Sequence, residues 1–99
     1  MKMTLRQHRV PDNQLDEVTR RVDTDWIERM RRLTGFVSAY AVRFGGGQLT
    51  LVTAFVDEST SEKAKEETIA WVSQRLMQDL DVEPQDAWEG PVVSHAGAD

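Results

Sequence analysis

The chain has 99 residues, no cysteine, and a net charge of −5 from 12 basic and 17 acidic residues. This length suits one domain with its own core, the lack of cysteine excludes disulfides and thiolate metal sites, and the acidic balance argues against nucleic-acid binding. No stretch approaches the ~20 apolar residues of a membrane span, and the first residues lack the apolar segment of a signal peptide. We expect a cytoplasmic protein with one domain over residues 1–95 and a flexible tail over 96–99.

The first third of the chain predicts a short strand over residues 2–10 and then a long helix. Pro11 ends the strand, Asp12 is the expected N-cap, and Gly35 suits the left-handed position after the helix. Apolar residues of the helix recur at spacings of three to five: Leu15, Val18, Val22, Trp26 or Ile27, and Met30. Asp23-Thr24-Asp25 interrupts this pattern with weak helix formers, which predicts a kink or a restart near Trp26.

Residues 35–57 predict a long β-hairpin that turns at Gly45-Gly46-Gly47, where glycine tolerates positive φ. Both faces of the hairpin are apolar. We place Tyr40 on one face together with Phe36 and Val42, and Arg43 on the other. A sheet with two apolar faces must be covered twice, by this chain's own helices and by a partner, so we expect a homodimer.

The last part of the chain predicts a second helix and a final strand. Ser59 and Glu62 have the spacing of a capping box. The predicted buried stripe of this helix consists of Ile69, Val72, Leu76 and Leu80. Trp71 then lies about 140° from the centre of that stripe. The final strand is expected over residues 87–94, with Pro91 marking an edge or a bulge.

The predicted order of elements is β-α-β-β-α-β. This order is typical of the ferredoxin-like fold, an α+β architecture in which a four-stranded antiparallel sheet carries both helices on one face. We therefore expect two such sheets to pack face to face in the homodimer.

Particular residues make the chain resemble the antibiotic biosynthesis monooxygenases, a family of small dimeric α/β-barrel proteins. These are Gly35-Phe36-Val37 after the first helix, Tyr40 in the hairpin, Phe55-Val56-Asp57 at its close, and Ala70-Trp71-Val72 in the second helix. The resemblance implies a pocket between sheet and helices in each subunit. It also implies oxidation of a quinol-like or other aromatic ligand by O₂ without any cofactor, since the deprotonated substrate supplies the electrons itself.

Three residues are candidates for the wall of this pocket. Trp71 lines the pocket, as the helix tryptophan of the catalytic relatives does, or it covers a neighbouring element or the dimer seam. Tyr40 is a hydrogen-bond donor or an ordinary core aromatic, and His8 is a general base or a surface histidine. Relatives often carry asparagine where this chain has Glu67, and a carboxylate cannot donate as an amide does. No residue is identified as catalytic. Arg43 is a solvated strand end or a group that orients an anion.

Other sites have little support in the sequence. His8 and His95 are predicted at opposite ends of the sheet, so no metal site is expected. Haem degradation, known in relatives, would need a histidine on a helix, and neither predicted helix has one. The three glycines join two strands rather than a strand and a helix, so they are a turn and not a phosphate loop. Two functions stay open: a cofactor-independent monooxygenase of aromatic or quinol-like substrates, or a non-catalytic dimeric ligand-binding or assembly domain.

Overall fold

A computed structural model describes residues 1–97 of the chain. Its elements are β1 (Lys2–Arg9), a 3₁₀ turn (Asp12–Gln14), α1 (Leu15–Arg21), a π-helical turn (Val22–Trp26), α2 (Ile27–Arg32), β2 (Phe36–Phe44), β3 (Gln48–Phe55), α3 (Glu58–Arg75) and β4 (Glu83–Pro91). We call Val22–Trp26 the π turn. Two residues of the expected tail, 98 and 99, lie outside the described part.

The four strands form one antiparallel sheet in the order β2-β3-β1-β4. The helices pack on one face, where their apolar side chains meet Leu49, Leu51 and Phe55 of β3 in a single core. This arrangement confirms the ferredoxin-like fold. Gly46 and Gly47 have positive φ in the hairpin turn, as expected, and Gly35 has φ of +82° after α2. We call the sheet face opposite to the helices the open face.

The predicted kink of the first helix is a π turn, and it explains the spacing of the core residues. Val18, Val22, Trp26 and Met30 are all fully buried although they follow one another at intervals of four. In an ideal α-helix each interval of four drifts by about 40° around the axis, or about 120° in total. The wider π turn, in which Ile27 N–H bonds to the carbonyl of Val22, absorbs part of this drift. Asp12 is not the N-cap that the sequence predicts. Pro11 occupies that position, and no side chain caps the first turn.

A β-bulge in β2 corrects the predicted placement of Tyr40. Phe36 pairs with Phe55 and Ser38 with Ala54, so Val37 is an extra residue in the strand. Phe36 therefore faces the helices and makes an edge-to-face contact with Phe55, at 5.9 Å between ring centroids. Tyr40 faces the opposite side and is 56% exposed.

The predictions for α3 need two corrections. Its N-cap is Asp57, which accepts from the backbone N–H of Thr60 at 2.9 Å in a capping box, and not Ser59. The buried face of α3 includes Trp71, which is 1% exposed, whereas Ile69 is 46% exposed. Trp71 is therefore on the core face rather than off it. The predicted buried face was rotated about the helix axis relative to the observed one. The prediction counted Ile69 as buried and did not count small buried residues such as Ala64.

The final strand was placed too late in the sequence. β4 begins at Glu83 and ends at Pro91, so residues 83–86 belong to the strand and not to a loop. Its antiparallel pairing with β1 confirms that the two histidines lie at opposite ends, because His8 pairs with Pro84 and His95 follows the other end. No helix in residues 1–97 is long and apolar enough to span a membrane.

Candidate functional site

An open groove lies between the first helix and the outer edge of the sheet. Its helical wall consists of Asp16, Thr19, Arg20, Val22, Asp23 and Ile27, and its strand wall of residues 39–42 of β2. We call it the α1–β2 groove. Its volume of 600 Å³ falls in the range of small-molecule sites. It lies between sheet and helices, where a ligand pocket was expected.

The chemistry of the groove combines an apolar floor with acidic rims. Val22, Ile27 and the two alanines of β2 supply the apolar surface. Asp16 and Asp23 supply carboxylates, which accept hydrogen bonds but do not donate them. The groove therefore suits a flat, uncharged molecule that carries hydroxyl donors.

The arginine of the groove is already paired. Arg20 Nε and Nη2 donate to the two carboxylate oxygens of Glu17, both at 2.7 Å. These bonds lower the pKa of Glu17 to about 2, with Arg21 contributing. Arg43 lies 4.0 Å from the Asp16 carboxylate near the glycine turn. The charge left at the rim is negative, so an anionic ligand would be repelled.

Of the three predicted pocket residues, only Tyr40 is among the residues around the groove, and its side chain points to the open face, away from the helical wall. Trp71 is buried beneath the helices, where its indole Nε1–H donates to Asp25 Oδ2 at 2.8 Å. Together with Arg29, this donor lowers the pKa of Asp25. Trp71 therefore lies beside the π turn and not beside Tyr40.

His8 occupies the helix-facing side of β1 and is 2% exposed. Within the described residues 1–97 its Nδ1 has no hydrogen-bond partner. Burial lowers its pKa, and the charge of Arg6 lowers it further. His8 does not line the α1–β2 groove.

The groove residues include no histidine, so they offer no ligand of the kind that a bound haem would need. Among residues 1–97, no three His, Asp or Glu side chains lie close enough together to hold a metal ion.

The sequence analysis missed the helical wall of the groove. Asp16, Thr19, Asp23 and Ile27 recur at spacings of three and four, one position after the buried residues Leu15, Val18, Val22 and Trp26. A second helical face beside the core face was thus present in the pattern. Polar residues on such a face are most often solvated, and only the neighbouring sheet edge makes this one a groove.

Comparison with solved structures confirms the resemblance at the level of fold. A Nitrosomonas europaea protein, provisionally assigned as an antibiotic biosynthesis monooxygenase, has 13% identity and a TM-score of 0.75, covering 95% of this chain and 100% of its own. The haem degrader MhuD of Mycobacterium tuberculosis, with two haems bound, has 17% identity and a TM-score of 0.71, covering 98% and 100%. A dimeric ferredoxin-like protein from an uncultured marine organism has 16% identity and a TM-score of 0.73, covering 98% and 97%. No protein-family model and no curated protein matches the chain.

Proposed function

We propose that this chain is a cytoplasmic dimeric α/β-barrel protein that binds a flat aromatic or quinol-like molecule in the α1–β2 groove. The observation that carries this proposal is the 600 Å³ groove, which joins an apolar floor to two carboxylates, those of Asp16 and Asp23. An aromatic ring gains free energy by leaving water for the floor, and its hydroxyl groups donate to Asp16 or Asp23.

The candidate reaction is oxidation of the bound quinol by O₂ without a cofactor. A carboxylate at the rim would accept a hydrogen bond from the phenol and help to remove its proton as two electrons pass from the quinol to O₂, so that the products are the uncharged quinone and hydrogen peroxide, which carries the two phenolic protons. The electrons come from the substrate itself, as in the monooxygenases that the chain resembles. The protein's part is to bind, orient and deprotonate.

The second candidate is a non-catalytic ligand-binding or assembly domain. One observation favours it: none of the three predicted pocket residues points into the groove, because Trp71 and His8 are buried in the core and the Tyr40 side chain faces the open face. In this function the groove holds a ligand that is not turned over.

The homodimer is supported by a row of side chains across the open face. Tyr40 pairs with Val52, Val52 with Leu5, and Leu5 with Trp88, so the row crosses all four strands. Its two ends are more than half exposed, Tyr40 at 56% and Trp88 at 53%. Large aromatic groups on one sheet face are typical of an interface. The dimeric neighbour of the same fold adds support for a second copy as the cover.

The test is binding and oxygen uptake with one set of probes. Binding is measured by calorimetry with menadione, which tests the apolar floor, and under anaerobic conditions with menadiol, which adds two hydroxyl donors; oxygen uptake is followed with menadiol and with anthrone. We expect Ala41→Phe, which fills the groove, to weaken menadione binding at least about tenfold. Ala70→Phe is the matched control, since Ala70 is exposed on α3 outside the groove, and binding should change less than about twofold.

The outcomes separate the two functions. Binding with protein-dependent oxygen uptake that Ala41→Phe abolishes supports the oxygenase. Binding without uptake supports the non-catalytic domain. Absence of binding by both menadione and menadiol, or equal binding by both alanine variants, would show that the groove is not the ligand site.

A further inference from the structure

Two reciprocal hydrogen bonds from indole groups join the π turn to α3. Trp26, the last residue of the turn, donates from Nε1 to Thr68 Oγ1 of α3 at 3.0 Å. Trp71 of α3 donates from Nε1 to Asp25 Oδ2 of the turn at 2.8 Å. We call Asp25, Trp26, Thr68 and Trp71 the indole clasp.

The π turn is also the partition between two clefts. On one side, Asp23 lines the α1–β2 groove together with Val22 and with Ile27 just after the turn. On the other side, Thr24 and Asp25 line a polar cleft against the end of α3. A shift of the turn toward or away from α3 therefore changes the width of the groove.

A π turn needs such support. Its i→i+5 hydrogen bonds are rare in helices, and such turns persist where the surrounding structure holds them, often beside functional sites. The clasp bonds are well placed to do this, because both indoles are fully buried and one acceptor is a carboxylate, which strengthens the bond. The Arg29 bond to Asp25 lies within the same helix and does not tie the turn to α3.

We propose that the indole clasp positions the π turn and thereby sets the width of the α1–β2 groove and its affinity for a ligand. Trp71 and Asp25 are positioning residues in this account, because neither lines the groove. The inference rests on the proposed function for its binding readout only. Trp71 would then affect ligand binding by holding the turn in place and not by contacting the ligand.

The experiment combines hydrogen–deuterium exchange with menadione binding in four variants. Trp71→Phe keeps a buried ring but removes the N–H. Asp25→Ala removes the acceptor together with the ion pair between Asp25 Oδ2 and Arg75 Nε of α3, at 3.4 Å, so Trp71→Phe is the more specific of the two. For both, we expect amide exchange in residues 23–27 to accelerate at least about tenfold and the menadione dissociation constant to rise at least about fivefold. Asp25→Asn keeps an acceptor oxygen for the indole N–H but loses the charge, so both values should fall between those of Asp25→Ala and those of the wild type.

Arg29→Gln is the matched control, since it removes another partner of Asp25 but leaves the tie to α3 intact. It should change neither value by more than about twofold. If Trp71→Phe fails to fold, Asp25→Ala and its Asn rescue carry the test.

The results distinguish this inference from the proposed function. Unchanged exchange in residues 23–27 of Trp71→Phe or Asp25→Ala overturns the clasp, and so does faster exchange with unchanged menadione affinity. If the wild-type protein binds neither menadione nor menadiol, the proposed function fails, and the exchange of residues 23–27 alone decides whether the clasp holds the turn.

Discussion

His8 is the residue whose surroundings differ most from its ordinary chemistry. It is buried on the helix-facing side of β1, with Nδ1 unpartnered among residues 1–97, and burial lowers its pKa. The unfolded chain keeps the ordinary pKa near 6.5, so it takes up a proton first as the pH falls. The free energy of unfolding is therefore unaffected by His8 above about pH 6.5. Below that pH it falls, and it stops falling on account of His8 once the pH is below the lowered pKa of the folded state.

We predict that His8→Leu removes this pH dependence. The wild type should lose up to about 1.4 kcal/mol of unfolding free energy per pH unit below pH 6.5 from this group, whereas the variant should not. Urea unfolding at about pH 7 and pH 5.5 measures the difference, above the range where most carboxylates titrate. His95→Ala is the control, because His95 is exposed and its variant should keep the wild-type slope. Equal slopes in wild type and His8→Leu would contradict the assignment.

Single residues were the hardest to place from the sequence. Trp71 was put on the wrong face because Ile69 looked like a core residue, yet Ile69 is exposed and Trp71 is buried. The stripe counted large aliphatic residues, while the real core face of α3 uses Ala64, Thr68 and a tryptophan bonded to Asp25. Which face of α3 is buried depends on where the first helix packs against it. The residue pattern of α3 alone does not give that position.

Among the elements, the regular ones followed from the pattern and the irregular ones did not. The glycine turn of the hairpin, the positive φ of Gly35 and the order of strands were predicted correctly. The end of the first helix was placed too late, because the helix ends at Arg32 and Leu33 is its extended C-cap. The bulge at Val37 was missed, because both faces of β2 are apolar and alternation gives no register. The π turn was anticipated only as a kink, although four buried residues at intervals of four point to an underwound helix.

Gly35 lies between α2 and β2 and next to Thr60 in the first turn of α3. Its replacement tests how these three elements pack together. It has φ of +82°, and a Cβ there would lie 2.7 Å from Thr60 Oγ1, inside the capping box of α3. We predict that Gly35→Ala lowers the unfolding free energy by roughly 2 kcal/mol or more, from the left-handed backbone and the displaced Thr60. Gly45→Ala meets no atom within 4 Å and should cost less than about 0.5 kcal/mol. Denaturant unfolding compares the two, and similar losses would disprove the close contact at Gly35.

At the scale of the whole molecule, the open face decides the state of assembly. We predict that the wild type has twice the 11.3 kDa mass of one chain in light scattering at micromolar concentration. Tyr40→Glu and Trp88→Glu place a charge at either end of the aromatic row and should each give a monomer. Ile69→Glu is the control, since Ile69 is about as exposed but lies on α3, away from the sheet. A wild-type monomer would contradict the homodimer. Dissociation by Ile69→Glu alone would place the interface elsewhere.

The site was predictable from the sequence only in outline. A pocket between sheet and helices was expected, and the α1–β2 groove lies there, with Tyr40 in its strand wall. Asp16 and Asp23 were not selected, because acidic residues on a helix usually face water. They gain a role only from the edge of β2 opposite them, which comes from a different part of the chain.

The π turn and the bulge at Val37 each contain one residue more than a regular element needs, and they lie in the two segments that build the groove. One extra residue corresponds to one codon. Loss of the Val37 codon would leave a regular strand with the same faces, whereas loss of a codon in the π turn would rewind the helix and turn Asp23 relative to the groove. Single-codon insertions and deletions are thus a genetic route by which proteins of this fold could change their ligand without rebuilding the core.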